Sequence, residues 1–325
     1  MSTACWLPSS KKKSKMRKVF LGIDTSNYKT SAALFYPDTL QWQSEGSLLP
    51  VKNGELGLRQ SDALFMHVKS LPDIIERLEL DGCEIVGVGY SDRPRAIEDS
   101  YMPCFLAGAC TAKGIASVNG VCCNSYSHQQ GHIVSAAFSA DKLDLIDSPF
   151  YAWHLSGGTT ELLYVEPSDG LFSTRICGGT TDISAGQLID RAGVALGMDF
   201  PAGPYVEKSA LTSVGKLYHR VKVNDGYFSL SGIENKITAM ISNGETAADV
   251  CAFTLNTVAY SVKTATEQLL QKRRLPVLVS GGVSVCSFIK NAFCDMDEVY
   301  FAQYGLGGDN ALGAAILSAR TEGQL

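Results

Sequence analysis

Val19-Phe20-Leu21-Gly22-Ile23-Asp24, followed by the polar turn Thr25-Ser26-Asn27-Tyr28-Lys29-Thr30 and a second apolar run at 31–36, is the stretch on which the fold turns. A short unbroken apolar run that ends in small polar residues reads as a buried strand, and the turn sends the chain back as its neighbour. The pattern recurs. Tyr151-Ala152-Trp153-His154-Leu155 leads into Ser156-Gly157-Gly158-Thr159-Thr160, and Glu161-Leu162-Leu163-Tyr164-Val165 returns. Two such units, each opening a stretch of alternating strands and helices, predict a duplicated α/β chain with two lobes.

The segments between follow the same alternation. Residues 63–80 read as an amphipathic helix interrupted at Pro72, 85–90 as a strand, 105–116 as a helix of small residues and 118–123 as another strand. A helix is expected from about 128 to 140. Ser184 is placed to cap a helix that Gly197 ends. Residues 246–272 form one long helical pattern, 276–279 a buried strand feeding Gly281-Gly282, and 309–320 an alanine-rich helix. The expected organisation is a disordered basic tail over 1–17, an N-terminal lobe over 18–148 and a C-terminal lobe over 149–304. Residues 305–325 then form a last helix packing back toward the N-terminal lobe.

Composition bounds the function. The 325 residues are 45% hydrophobic and 19% charged, with 31 glycines, which suits a globular chain of two lobes. No apolar run reaches the roughly 18 residues needed to cross a bilayer, so no membrane role is expected. Lys11, Lys12, Lys13 and Lys15 follow no apolar signal-peptide core. The ten cysteines are scattered through apolar segments with no C-x-x-C pair, the usage of reduced thiols in a cytoplasmic protein. A net charge of −5 does not favour nucleic acid over the whole surface. A nucleic-acid substrate therefore needs a local basic patch or a partner that supplies one.

Two kinds of residue pattern carry chemistry. Ser156-Gly157-Gly158-Thr159-Thr160, Ser280-Gly281-Gly282-Val283-Ser284 and Gly307-Gly308-Asp309-Asn310 are glycine turns at the ends of elements. Their backbone N–H groups are unobstructed by Cβ atoms and suit a phosphate-bearing ligand. A Walker loop and a G-x-G-x-x-G fingerprint are both absent. The chain has only five histidines, and His128-Gln129-Gln130-Gly131-His132 sets two of them at i and i+4, on one helical face. That spacing fits a shared metal ion, with Asp309 as a third ligand. Two imidazoles and a carboxylate leave open positions suited to Fe(II) or catalytic Zn(II). Gln129 stands where an H-E-x-x-H peptidase carries its general base, which removes that mechanism.

These residues, in this order, resemble the tRNA threonylcarbamoyladenosine transferases, the TsaD/glycoprotease-like group of the actin-like ATPase superfamily. Gly22-Ile23-Asp24-Thr25-Ser26 resembles its G-I-E-T-S, and His128 to His132 its H-x-x-G-H. Ser156 to Thr160 is similar to its S-G-G-H-T turn. Leu188-Ile189-Asp190 with Pro201-Ala202-Gly203-Pro204 is similar to its F-D-K…P-G-G-P segment. Phe228 to Gly232 resembles F-S-F-S-G, Ser280 to Ser284 the G-G-V turn, and Gly308 to Ala311 the T-D-N segment. The resemblance runs from about residue 18 to 318.

It implies an actin-like ATPase (ASKHA) fold with two ribonuclease-H-like lobes and a ligand cleft between them. It also implies transfer of a threonylcarbamoyl group from threonylcarbamoyl-AMP to an adenosine of tRNA. His128, His132 and Asp309 would hold one divalent ion, Fe2+ or Zn2+. Ser156, Gly157, Gly158, Asp190, Gly203, Gly281, Gly282 and Cys286 would line the site of an adenine nucleotide, the adenylate or ATP/ADP. Asp24 and Asp190 are the carboxylates expected to orient the ligand or accept a proton. tRNA is the expected macromolecular partner, with an actin-like partner subunit or a second copy also compatible.

The departures cluster near the reacting groups. The first turn reads Asn27-Tyr28-Lys29-Thr30 for C-D-E-T, Thr159 replaces a histidine and Cys286 replaces an asparagine. A glycine-rich loop gives way to Asp92-Arg93-Pro94-Arg95 and an insert through Pro103. They leave two alternatives open: an acyl or carbamoyl transferase of this fold with a non-tRNA acceptor, or a non-catalytic partner subunit of a tRNA-modification complex.

Overall fold

The computed structural model describes residues 16–50, 58–97, 99–215, 217–303 and 310–325. The chain begins with the strands β1 (Arg17–Thr25), β2 (Lys29–Tyr36) and β3 (Gln41–Leu48). Helix α1 (Gln60–Glu76), strand β4 (Cys83–Arg93), helix α2 (Phe105–Asn119) and strand β5 (Cys122–Ser127) follow. The second half runs α3 (His128–Ser139), β6 (Phe150–Leu155), β7 (Thr160–Ser168), β8 (Leu171–Thr180), α4 (Ala185–Ala195), α5 (Gly203–Ala210) and β9 (Tyr227–Phe228). It closes with α6 (Ser231–Ser242), α7 (Ala247–Lys272), β10 (Val277–Ser280), α8 (Ser287–Ala292), β11 (Val299–Phe301) and α9 (Asn310–Thr321).

The first sheet has the order β3-β2-β1-β4-β5, and the second β11-β10-β6-β7-β8-β9. Taken from β8, the second sheet reads β8-β7-β6-β10-β11, the same succession. In each, the opening strand pairs antiparallel with the next and parallel with the strand after the first crossover: β1 with β2 and β4, β6 with β7 and β10. The duplication expected from the two hairpins is therefore a duplication of topology. Val19, Phe20, Leu21 and Ile23 are all fully buried, which explains the unbroken apolar run: both faces of β1 are covered.

Contacts group the residues through Asp92 with Met102–Ser125 and Ala314–Leu325 into one unit, and Arg93–Tyr101 with Tyr126–Gly313 into a second. The first unit is cored by Leu21, Ile23, Leu34, Leu71, Ile74 and Val88. The second packs β6, β10 and α7 around Trp153, Leu162, Leu255, Val258 and Val279, and the Trp153 indole donates to Thr266 Oγ1 at 2.9 Å.

Two expected elements differ. Helix α1 continues through Pro72. The lost hydrogen bond costs about 3 kcal/mol, but Leu71 and Ile74 on either side are buried and hold the helix together. The strand expected over 118–123 is replaced by the end of α2, with Gly120 at φ +65 as its left-handed cap and the strand starting at Cys122. Val118 is a β-branched residue exposed on the last helical turn, which made the segment read as a strand. Strand β3 escaped notice because its residues are largely exposed.

Among the described residues no helix is long and apolar enough to cross a membrane, and the described cysteines are free thiols. The tail expected over 1–17, with Lys11, Lys12, Lys13 and Lys15, lies outside the described residues except for Met16 and Arg17, and Arg17 already opens β1. Gly307, Gly308 and Asp309 also lie outside the described residues.

Candidate functional site

The His pair owes its placement to a cap. Ser127 Oγ accepts from the Gln130 backbone N–H at 3.2 Å, while Gln130 Oε1 accepts from the Ser127 N–H at 2.9 Å, so α3 begins at His128. One turn later comes His132, with the two ring centres 4.6 Å apart and nearly perpendicular. Between them, Gly131 packs against the start of α9 through Gly313: a Cβ on Gly313 would lie 2.0 Å from the Gly131 carbonyl oxygen, and one on Gly131 would lie 3.0 Å from that of Asn310. This contact brings the Asn310 side-chain amide within 3.0 Å of His128 Nδ1.

A third histidine joins the pair. His154 on β6 has its ring centre 5.1 Å from that of His132. Alternation along the strand sends Trp153 into the core and His154 to the other face. Burial lowers the pKa of His154 below the ordinary imidazole value, so the ring is neutral at pH 7. The three rings line a cavity of about 190 Å³ together with Arg95, Thr159 and Glu161. As they stand, no three His, Cys, Asp or Glu side chains among the described residues are placed to share one metal ion.

A second cavity, of about 330 Å³, is lined by Gly157, Asp190, Gly203, Glu207, Gly282 and Cys286, among others. The turn beside it is held from below. Ser184 Oγ, the cap of α4, donates to the Gly157 carbonyl at 2.7 Å, and the Thr159 N–H donates to Ser156 Oγ at 3.1 Å. No atom lies within 4 Å of where a Cβ on Gly157, Gly158, Gly203 or Gly282 would sit. Gly281 serves a different purpose, with φ +97 and the Leu155 carbonyl oxygen 2.2 Å from its absent Cβ; only glycine fits there.

Asp190 Oδ1 accepts from the Ala202 N–H at 2.8 Å, so this carboxylate holds the Pro201-Ala202-Gly203-Pro204 turn against α4. Glu207 Oε1 accepts from Ser287 N–H and Oγ at 2.7 and 2.6 Å. Burial, and then the Glu207 carboxylate, push the Cys286 thiol up to about 11. Asp182 accepts from the Leu230 and Ser231 N–H groups and from Ser229 Oγ. Burial acts to raise its pKa, and these hydrogen bonds outweigh it and bring the carboxyl down to about 2. Asp24, at the end of β1 in the first unit, is buried, and its charge adds to burial in raising Cys104 to about 11.

A family model described as tRNA N6-adenosine threonylcarbamoyltransferase, TsaD, matches residues 101–313, more than half of the chain. The chain belongs to the TsaD family. The tRNA N6-adenosine threonylcarbamoyltransferase of a Thermus thermophilus strain is 28% identical over 94% of this chain and 93% of its own length. That of Oenococcus oeni is 28% identical over 83% and 87%.

Solved structures agree on an actin-like fold. Full-length HypF, in its phosphate- and nucleotide-bound form, superposes with a TM-score of 0.56 at 12% identity, covering 94% of this chain and 56% of that one. Component A of the (R)-2-hydroxyglutaryl-CoA dehydratase of Acidaminococcus fermentans gives 0.54 at 15%, covering 94% and 99%. A ROK family protein from Streptococcus pneumoniae, in complex with sucrose, gives 0.53 at 11%, covering 94% and 100%.

Within this TsaD-family chain the structure brings Gly157, Asp190, Gly203, Gly282 and Cys286 to one cavity and His128 with His132 to another. Ser156, Gly158 and Gly281 do not line the second cavity; Ser156 and Gly281 shape the turns that border it. Sequence reasoning missed His154, Arg95, Glu161, Glu207 and Asp182. The one available signal was His154 itself, a scarce residue type in an apolar strand just ahead of a glycine turn.

Proposed function

We propose that this chain transfers a threonylcarbamoyl group from threonylcarbamoyl-AMP to an adenosine of tRNA, with His128, His132 and Asp309 holding one divalent ion, Fe2+ or Zn2+. One observation carries the reading. The same two turns border both cavities: Thr159 and Ser280 line the imidazole cavity, while Gly157 and Gly282 line the glycine cavity. An acyl-adenylate has that bipartite form, a nucleotide on one side of a mixed anhydride and the transferred group on the other.

The ring spacing supports the ion. An imidazole bound at about 2.1 Å has its centre about 3.2 Å from the metal, so two on one ion have centres about 4.5–5.2 Å apart. The 4.6 Å between the His128 and His132 ring centres lies within that range. When bound, the ion supplies Lewis acidity toward the carbamoyl carbonyl.

The chain's own residues do the rest. Backbone N–H groups of the open turns at Gly157-Gly158 and Gly282 take the phosphate of the departing AMP. Ser184 fixes the first turn through Gly157, and Asp190 fixes the turn that carries Gly203. Asp190 and Asp24 are the carboxylates assigned to orienting the ligand or accepting the proton of the attacking amine. tRNA is received through a local basic patch or a partner protein, since the net charge of −5 repels it elsewhere.

The deciding experiment supplies the purified chain with threonylcarbamoyl-AMP and unmodified tRNA and measures modified adenosine by mass spectrometry. Modification that depends on His128 and His132 is expected. Consumption of the adenylate with no tRNA product would instead favour a different acceptor.

A further inference from the structure

The imidazole cavity holds a feature that metal and nucleotide do not use. Arg95 is the one Lys or Arg among its described lining residues, and Glu161 the one carboxylate. Arg95 Nη2 donates to both Glu161 oxygens, at 2.8 and 3.0 Å. This is one nitrogen shared by two oxygens rather than the fork-on-fork pairing a guanidinium prefers. Nη1 and Nε have no hydrogen-bond partner among the described residues. Both side chains keep access to solvent, at 39% and 25% exposure.

The backbone that carries Arg95 is also tied to the helix of the histidine pair. The Gln129 N–H, in the first turn of α3 between the two histidines, donates to the Pro94 carbonyl at 3.0 Å. The Arg95 N–H donates to Ser100 Oγ at 3.1 Å. The charge is thus held in register with His128 and His132 by the segment that replaces a glycine-rich loop. At roughly 30 Å³ per water, the cavity of about 190 Å³ has room for about six waters, or one amino-acid-sized group.

We propose that Arg95 recognises the free carboxylate of an N-carbamoyl amino acid, the acyl part of the substrate. Glu161 is an internal stand-in that occupies the guanidinium until the substrate carboxylate replaces it. This rests on the threonylcarbamoyl reading for the identity of the acyl group, and it makes Arg95 the residue that selects an acidic acyl group over an uncharged one.

The test titrates the full chain with N-carbamoyl-L-threonine and, separately, with its uncharged primary amide, following both by calorimetry. AMP is titrated in parallel as a probe of the glycine cavity. The acid is expected to bind about tenfold or more tighter than the amide, the scale of one charge-assisted hydrogen-bonded pair. Arg95→Met should abolish that preference with AMP affinity unchanged. Glu161→Gln, which removes the stand-in, should tighten binding of the acid.

Absence of acid binding to the unaltered chain, equal affinity for acid and amide, or an acid preference that survives Arg95→Met overturns the proposal. So does a result in which both variants lower thermal stability alike and leave acid binding unmoved, because the pair is then a strut. A chain that keeps the acid preference yet transfers nothing to tRNA would sink the proposed function and leave Arg95's role standing.

Discussion

The ring centre of His154, on a strand, lies 5.1 Å from that of His132, on a helix, so the ring cluster depends on how α3 packs on the sheet that holds β6 and β10. His128→Ala and His132→Ala together should strip bound metal entirely. His154→Phe, which keeps a ring in place, should weaken metal binding by about 10-fold, the lower end of effects from groups that orient ligands. Elemental analysis and competition with a chelator measure both. Full retention of stoichiometric metal in the double variant would remove the site assignment.

The glycine turns separate folding from binding. Gly157 lines the glycine cavity and nothing lies within 4 Å of a Cβ there, so Gly157→Val should fold normally and lose at least about tenfold in AMP affinity by obstructing the backbone donors. Gly281→Ala meets the Leu155 carbonyl oxygen at 2.2 Å with φ +97, and should cost about 3 kcal/mol of stability or more. Denaturation curves beside nucleotide calorimetry distinguish the two. Unchanged affinity in a well-folded Gly157→Val would refute the phosphate role.

Cys286 faces the glycine cavity as a protonated thiol, a weak donor and a poor acceptor. Cys286→Asn restores a side chain able to do both, and one neutral hydrogen bond contributes about 0.5–1.5 kcal/mol. Adenylate binding should tighten several-fold. Weaker binding would mean that the pocket has been reshaped for another ligand, and would favour the alternative acceptor.

His67 on α1 is fully buried, with Nδ1 2.7 Å from Thr30 Oγ1 on the first hairpin. Burial lowers its pKa. The unfolded chain therefore binds a proton before the folded one does, and stability must fall as pH drops below about 6.5. Denaturation midpoints between pH 7.5 and pH 5, each figure a rough bracket of that ordinary histidine value, should decline in the parent chain and decline less steeply in His67→Gln, where buried His154 still contributes. Equal slopes in the two would show that His67 is not the group responsible.

The sequence by itself determined the local pieces. Apolar runs on β1 and β6, the Ser184 cap ahead of α4, histidines at i and i+4, and open glycines after strands all report on neighbours within a few residues, where backbone geometry leaves little choice. Even the duplication was legible, since each hairpin carries its own pattern. Tertiary structure decided the remainder. Alternation on β6 says that His154 faces away from Trp153, yet only the packing of α3 on β10 and its neighbours says that it faces His132. Arg95 meets Glu161, and Glu207 meets Ser287, across separations of 66 and 80 residues. Pro72 stays inside a helix because Leu71 and Ile74 are buried beside it. In each case the partner is chosen by burial and by the register between elements, and neither is encoded in the spacing of residues along one segment.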